Sequence, residues 1–324
     1  MIKTETAFVL GAGASAEYGF PLGWGLVQEI CRIARSEGTE NENAGYFADK
    51  LSKSGKLSID AFLEHRPDLI DLGKSFIAKA LIPHEKPDVL FTTRASPGWY
   101  RLLFDKMNCS YEEFANNKVK FITYNYDRSI EHFLTSALAA SYGKSPRESW
   151  SKVQKIGIIH VHGCLGKYDP GVDYGNGARP YSERVIPAEI ETAVEQLKVV
   201  HEGHENTEEY KQAREVLKWA RRIFFIGFGY SHEAIKRLQP QLWADRTKQI
   251  CGTAFGLKAA ERIKVLRELM PDNPRAPATL KTYPLDLDRA GKTAFTPGHT
   301  WPALDTSDID AANFIRRIPD LAED

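Results

Sequence analysis

Short apolar runs recur along the chain, each closed by glycine or by a polar turn. They are TAFVL at Thr6–Leu10, VKFIT at Val119–Thr123, IGIIHV at 156–161 and IFFI at 223–226. Runs this short and this uniformly apolar predict strands buried on both faces of a parallel sheet. Between them the spacing becomes helical. Leu22, Leu26, Ile30 and Ile33 share one face after the first strand, and Ile130, Phe133, Leu134 and Leu138 share one after the second. Further helices are expected at 208–220, 233–243 and 257–270, with short strands near Ile250 and Leu280. The stretch 284–302 reads as loop, and 309–318 as a closing helix.

Residues 36–118 hold no convincing strand. The polar stretch 37–43 reads as a loop, Ser58 caps a helix start ahead of an apolar stripe, and helices are expected over 61–81 and 99–108. The expected architecture is therefore a single α/β domain over 1–324: a Rossmann-like parallel sheet with helices on both faces and a helical insertion at about 36–118. Ligands of such sheets bind at the carboxyl ends of the strands.

Charge and cysteine usage narrow the chemistry. Lys and Arg total 43, as do Asp and Glu, so no basic excess points to nucleic acid. Cys31, Cys109, Cys164 and Cys251 form no CxxC pair, which argues against a structural zinc site. Free thiols in a reducing cytoplasm are expected, with no leader recognised. No apolar run approaches the roughly 20 residues that span a bilayer. No metal is expected.

Three turns at strand ends carry candidate chemistry. The first contains Gly11, Ala12, Gly13 and Ser15, and fits GxGxxA between strand and helix. Gly11 permits a tight turn, Gly13 a close approach to a pyrophosphate, and the following helix start offers free N–H groups. A dinucleotide dehydrogenase would place an acidic residue at the end of a second strand about 20 residues on. Here that region is helix and polar loop, with Glu29 inside the helix. Hydride transfer is therefore disfavoured. The second turn holds Asn125 and Asp127. Asn125 is an amide suited to a ribose hydroxyl or a water, and Asp127 suits either a ligand or a helix cap. The third, His160-Val-His162-Gly163, offers a general base or ribose contact, with His162 favoured because Gly163 leaves space beside it; alternation would put both histidines on one side of the strand. A weaker fourth turn runs from Gly227 to Ser231.

Together these four turns, in this order, resemble the sirtuin superfamily over about residues 6–260. The resemblance implies an NAD site: His162 as the catalytic histidine, Asn125 positioning the nicotinamide ribose and a water, and Gly11, Ala12, Gly13, Ser15, Asp127, Gly227 and Ser231 around the phosphates and riboses. Protein-deacylating sirtuins carry two CxxC pairs after the His-Gly motif, whereas this chain has only Cys164 there. The Tyr-Asn-Tyr-Asp turn, the missing zinc module and the helical insertion look like the sirtuin-like NADases of bacterial antiphage defence. That branch implies NAD as substrate, hydrolysed to ADP-ribose and nicotinamide. It also implies a homo-oligomer and a separately encoded activator, such as an ATPase of the HerA type. A tyrosine-bearing loop around 174–176 is expected to close over the site. The alternatives are a module that binds NAD or ADP-ribose without turnover, and a deacylase or ADP-ribosyltransferase.

Overall fold

The computed structural model describes residues 1–92, 97–171, 176–199, 207–245, 247–254 and 256–270, together with 303–304, 311 and 315. Its main sheet is wholly parallel, in an α/β fold. The strands are β1 (Thr6–Leu10), β2 (Val119–Thr123), β3 (Ile158–His160), β6 (Arg222–Ile226), β7 (Gln249–Gly252) and a two-residue β8 (Ala303–Leu304), in the spatial order β3-β2-β1-β6-β7-β8. A separate two-stranded ribbon pairs β4 (Lys167–Tyr168) with β5 (Ala178–Arg179).

The helices are α1 (Ala12–Ser15), α2 (Gly23–Glu37), α3 (Glu42–Lys53), α4 (Ile59–Leu63), α5 (Ile70–Leu81), α6 (Pro87–Phe91) and α7 (Trp99–Lys106) between β1 and β2. They continue with α8 (Ser129–Tyr142), α9 (Pro146–Val153), α10 (Pro187–Gln196), α11 (Glu208–Trp219), α12 (His232–Leu238) and α13 (Ala259–Leu269).

The two faces of the sheet follow from side-chain alternation. Phe8 and Leu10 of β1, with Phe121 and Phe224, face a core built largely by the helices between β1 and β2 and by α8. Ala7 and Val9, with Ile122, Ile223 and Phe225, face a second core closed by α11, α12 and α13. Helices of the insertion thus share one layer of the fold with α2 and α8. Both faces are covered, so β1, β2 and β6 are apolar at most positions, with half-buried Lys120 of β2 and Arg222 of β6 the charged exceptions.

Several elements differ from expectation. The helix expected over 61–81 is broken, because Pro67 disfavours the helical conformation at Arg66, which sits at φ −133 and ψ 68. Helix α3 is masked by its polar composition, although Ala44, Phe47, Ala48 and Leu51 lie buried at helical spacing. The run 156–161 supplies only three residues of strand, since Gly157 adopts φ 87 and the chain turns away after His160. The small ribbon flanks the loop expected around 174–176, and α10 follows it. The expected strand near Leu280 and the stretch 284–302 lie outside the described residues, as does 309–318 apart from Ala311 and Ile315. Among the described residues no helix is long and apolar enough to cross a membrane.

A buried ion network ties the layers together. The Glu85 carboxylate accepts from the Arg128 backbone N–H (3.2 Å) and Nε (3.0 Å), and pairs with the guanidinium of Arg128 and that of Arg179. Arg179 reaches on to Glu189 of α10 (3.0 Å). Arg128 also donates to the carbonyls of Arg179 (2.7 Å) and Pro180 (2.9 Å). Burial opposes the ionisation of Glu85, but Arg128 and Arg179 outweigh it and hold the carboxyl below the usual range.

Candidate functional site

The turns after β1, β2 and β6 meet at the carboxyl edge of the sheet. β1 is the switch point, with β2 on one side and β6 on the other. They border a cavity of about 390 Å³. It is lined by Gly11, Ala12 and Ser15, by Asn125, Asp127 and His162, and by Ser231 of the fourth turn. The residues singled out in the sequence are therefore largely brought together.

The glycines of the first and fourth turns serve each other before any ligand. Gly11 N–H donates to the Ile226 carbonyl (3.0 Å), and Gly13 N–H donates to the Gly227 carbonyl (3.0 Å). A Cβ on Gly13 would lie 2.7 Å from the Gly227 Cα, and a Cβ on Gly11 2.6 Å from the Gly227 carbonyl oxygen. Two of the turn's N–H groups are thus already used by β6 and the turn after it, and Gly13 makes room for the neighbouring Gly227 backbone. The helix that follows is also short. α1 has four residues and passes into a 3-10 turn, Ala16–Tyr18, so the long helix begins only at Gly23. Helix α7 clamps this turn: Trp99 Nε1 donates to the Ala14 carbonyl (2.7 Å), and the Trp99 backbone N–H donates to Glu17 (2.8 Å).

Gly227→Ala tests this interlock. Gly227 sits at φ 58, and its Cβ would collide with the Ala14 nitrogen and the Gly13 backbone. Left-handed strain together with forced overpacking should lower stability by about 2 kcal/mol or more. Chemical unfolding of the variant measures it, and an unchanged midpoint would contradict the interlock.

Asn125 lies between two turns. Its Nδ2 donates to the Gly11 carbonyl (3.0 Å) and to Ser15 Oγ (3.0 Å). Its backbone carbonyl meets His160 Nδ1 at 3.0 Å. His160 Nε2 pairs with Glu131 of α8 at 2.6 Å. Burial alone would depress the His160 pKa, but Glu131 outweighs burial and raises it. His160 and Glu131 therefore form a hydrogen-bonded brace behind Asn125. Because the strand ends at His160, the two histidines diverge: His160 turns to α8 and His162 to the cavity.

Asp127 is buried just ahead of α8, one residue before the N-cap position held by Arg128. Its Oδ1 accepts from the Ser129 backbone N–H (3.1 Å) and from the Ser129 hydroxyl. Burial raises its pKa. Its hydrogen bonds tie the carboxylate to Ser129, the first residue of α8, without making it the helix N-cap. Ser231, in contrast, caps α12, accepting from Ala234 N–H at 3.3 Å. Gly229 is exposed between them, with open space where a Cβ would sit.

His162 is surrounded by tyrosines. The ring of Tyr124 lies 5.4 Å away, that of Tyr126 6.1 Å and that of Tyr210 6.4 Å. Nε2 meets the Tyr210 hydroxyl at 3.2 Å, while Nδ1 is buried and has no hydrogen-bond partner. Burial lowers the His162 pKa, partly opposed by Asp60, so the ring is neutral near pH 7. Asp60 of α4 places Oδ1 3.6 Å from Nδ1 and accepts from the Tyr126 hydroxyl. One turn on, Glu64 pairs with Arg237 of α12.

Sequence reasoning misses Asp60, Glu64, Tyr124, Tyr126, Tyr210 and Arg237. The two tyrosines flanking Asn125 are visible as neighbours of the motif. Nothing local connects Asp60 or Arg237 to His162, because only packing brings α4 and α12 to the cavity. Tyr174, in the loop expected to close over the site, lies outside the described residues. Burial pushes the Cys164 thiol up to about 12. No family model matches the chain, and no curated protein matches it.

Proposed function

We propose that the cavity binds NAD⁺ and cleaves its glycosidic bond with water, giving ADP-ribose and nicotinamide. The observation carrying this reading is that Asn125 and a neutral His162, from different strand ends, line the same cavity as the first glycine turn. A base must be unprotonated at working pH to accept a proton, and burial keeps His162 so. Asn125 Nδ2 is occupied by Gly11 and Ser15. Its oxygen is therefore the atom assigned to a ribose hydroxyl or the attacking water.

In the reaction the ribose C1′–nitrogen bond breaks and nicotinamide leaves with the bonding pair. The water oxygen bonds to C1′, and its proton passes to His162. The sirtuin resemblance extends the proposal to antiphage defence, cytoplasmic and homo-oligomeric, with a separately encoded activator. Phage challenge of cells carrying the wild type or an Asn125 variant tests that extension.

Chromatography of NAD⁺ incubated with purified protein tests the reaction itself. Asn125→Ala removes the clamp between the first two turns, and an active-site displacement of about 1 Å costs on the order of 100-fold. The expected loss of turnover is therefore at least that large. Turnover equal to wild type would reject the assignment.

One alternative has an observation in its favour. Both His162 nitrogens face protein groups, Tyr210 and Asp60, as they would in a module that holds NAD or ADP-ribose without turnover. Such a module would bind ADP-ribose in calorimetry and release no nicotinamide, even with its activator present.

A further inference from the structure

The cavity wall opposite the sheet is made by α4, a helix of the insertion. Ser58 caps it, accepting from Ala61 N–H at 3.2 Å. Asp60 and Glu64 follow one turn apart, so both project from the same side. Each meets a residue of the α/β body. Asp60 accepts from the Tyr126 hydroxyl and lies 3.6 Å from His162 Nδ1. Glu64 is joined to Arg237, a nearly buried residue of α12.

His162 Nδ1 is buried with no hydrogen-bond partner, although a carboxylate stands just beyond bonding reach. A buried polar atom left unpaired is costly. The Asp60 side chain is 34% exposed, so it can close the gap without rebuilding the core.

We propose that Asp60 is the carboxylate partner of His162, a positioning residue delivered by the insertion and anchored by the Tyr126 hydroxyl. When His162 takes up a proton, Nδ1–H points at Asp60 Oδ1, and the carboxylate balances the new charge. Neutral His162 keeps Nε2 toward Tyr210. The other charged or titratable groups packed around the ring are Glu64 and Arg237, already paired with each other, and the hydroxyls of Tyr124, Tyr126 and Tyr210. Asp60 is therefore the carboxylate that responds to the proton on His162. Docking of α4 thereby becomes a condition for a working site. The catalytic consequence rests on the NAD⁺ reading above, whereas the pairing itself does not.

The experiment follows the imidazole signals of the full chain by NMR from pH 4 to 9. The chain has nine histidines, and His162→Ala identifies the resonance. In Asp60→Asn the His162 pKa should fall by about one pH unit, since an opposite charge at this range favours the charged ring by that order. Tyr126→Phe, which releases Asp60 from its anchor without removing its charge, should also shift the His162 pKa. Asp60→Glu should restore most of the wild-type value. An unchanged His162 titration in Asp60→Asn, with the melting curve preserved, overturns the proposal. Should Asp60→Asn fail to fold, Tyr126→Phe decides in its place, and an unchanged His162 titration there overturns the proposal equally. In the turnover assay, the acidic limb of the pH profile should move to lower pH with the His162 pKa, and kcat should fall more than KM rises. If the wild type neither binds nor cleaves NAD⁺, the proposed reaction fails while the titration still decides the pair.

Discussion

Glu85→Gln should lower the unfolding free energy by about 3–5 kcal/mol, the cost of removing one partner from a buried ion pair. The reason is geometric. Glu85, Arg128 and Arg179 have fully buried side chains, and the Glu85 carboxylate serves both guanidinium groups. Glutamine matches the shape but leaves only Glu189 facing two buried cations, and it reaches Arg179 alone. With a typical domain stable by only about 5–15 kcal/mol, the variant would lose a third or more of its margin. Urea unfolding measures this directly.

The pH dependence gives a second check on the same network. Arg128 and Arg179 hold the folded-state pKa of Glu85 below its unfolded value, against the opposing effect of burial. Its contribution is therefore complete above the unfolded carboxylate value of about 4.3 and is lost as pH falls through the folded value. The stability gap between wild type and Glu85→Gln should accordingly be constant from about pH 6 to 8 and shrink below about pH 4. A gap that persists unchanged down to about pH 3 would show that shape, not charge, sets the effect. The network also matters to the cavity. Arg128 adjoins Asp127, whose carboxylate accepts from Ser129 at the start of α8, and α8 supplies the Glu131 that braces His160 behind Asn125.

His162→Ala should reduce NAD⁺ cleavage by about 100- to 10,000-fold, the range supplied by a positioned general base. The fold should survive, because the imidazole makes one hydrogen bond, to Tyr210, and otherwise fills a tyrosine-lined space. Loss of turnover with ADP-ribose binding retained would place His162 at the chemical step. Turnover equal to wild type would remove it from the mechanism, and with it the reading of the third turn. Wild-type activity should fall on the acidic side of neutrality, since burial depresses the His162 pKa and protonation abolishes the base. His160→Ala offers a contrast. Its partner Glu131 would be left buried and unpaired, so that variant should lose stability as well as activity.

What is legible in the chain is what depends on local physics. Mostly apolar runs make β1, β2 and β6 recognisable, because strands covered on both faces carry few polar residues. Turn residues then mark the strand ends, so Gly11, Asn125, His162 and Gly227 all fall at the carboxyl edge. Helix α3 escapes notice because its apolar stripe is narrow within a polar sequence. The helix break at Pro67 is a local signal too, overridden in the sequence reading by the apolar periodicity on either side of it.

The tertiary structure decides what each of those residues does. Gly13 has the spacing of a pyrophosphate contact, and it packs against Gly227 from a turn far along the chain. Strand alternation would give His160 and His162 a shared side, yet the sheet ends between them and sends one to Glu131 and the other to the cavity. Asp60 and Arg237 carry no local signal at all. Their approach to the cavity is set by how the insertion and α12 pack on opposite faces of the sheet. Periodicity and turn chemistry act over a few residues and can be read along a line. The distances that make a carboxylate serve a histidine arise only when separate layers close on each other.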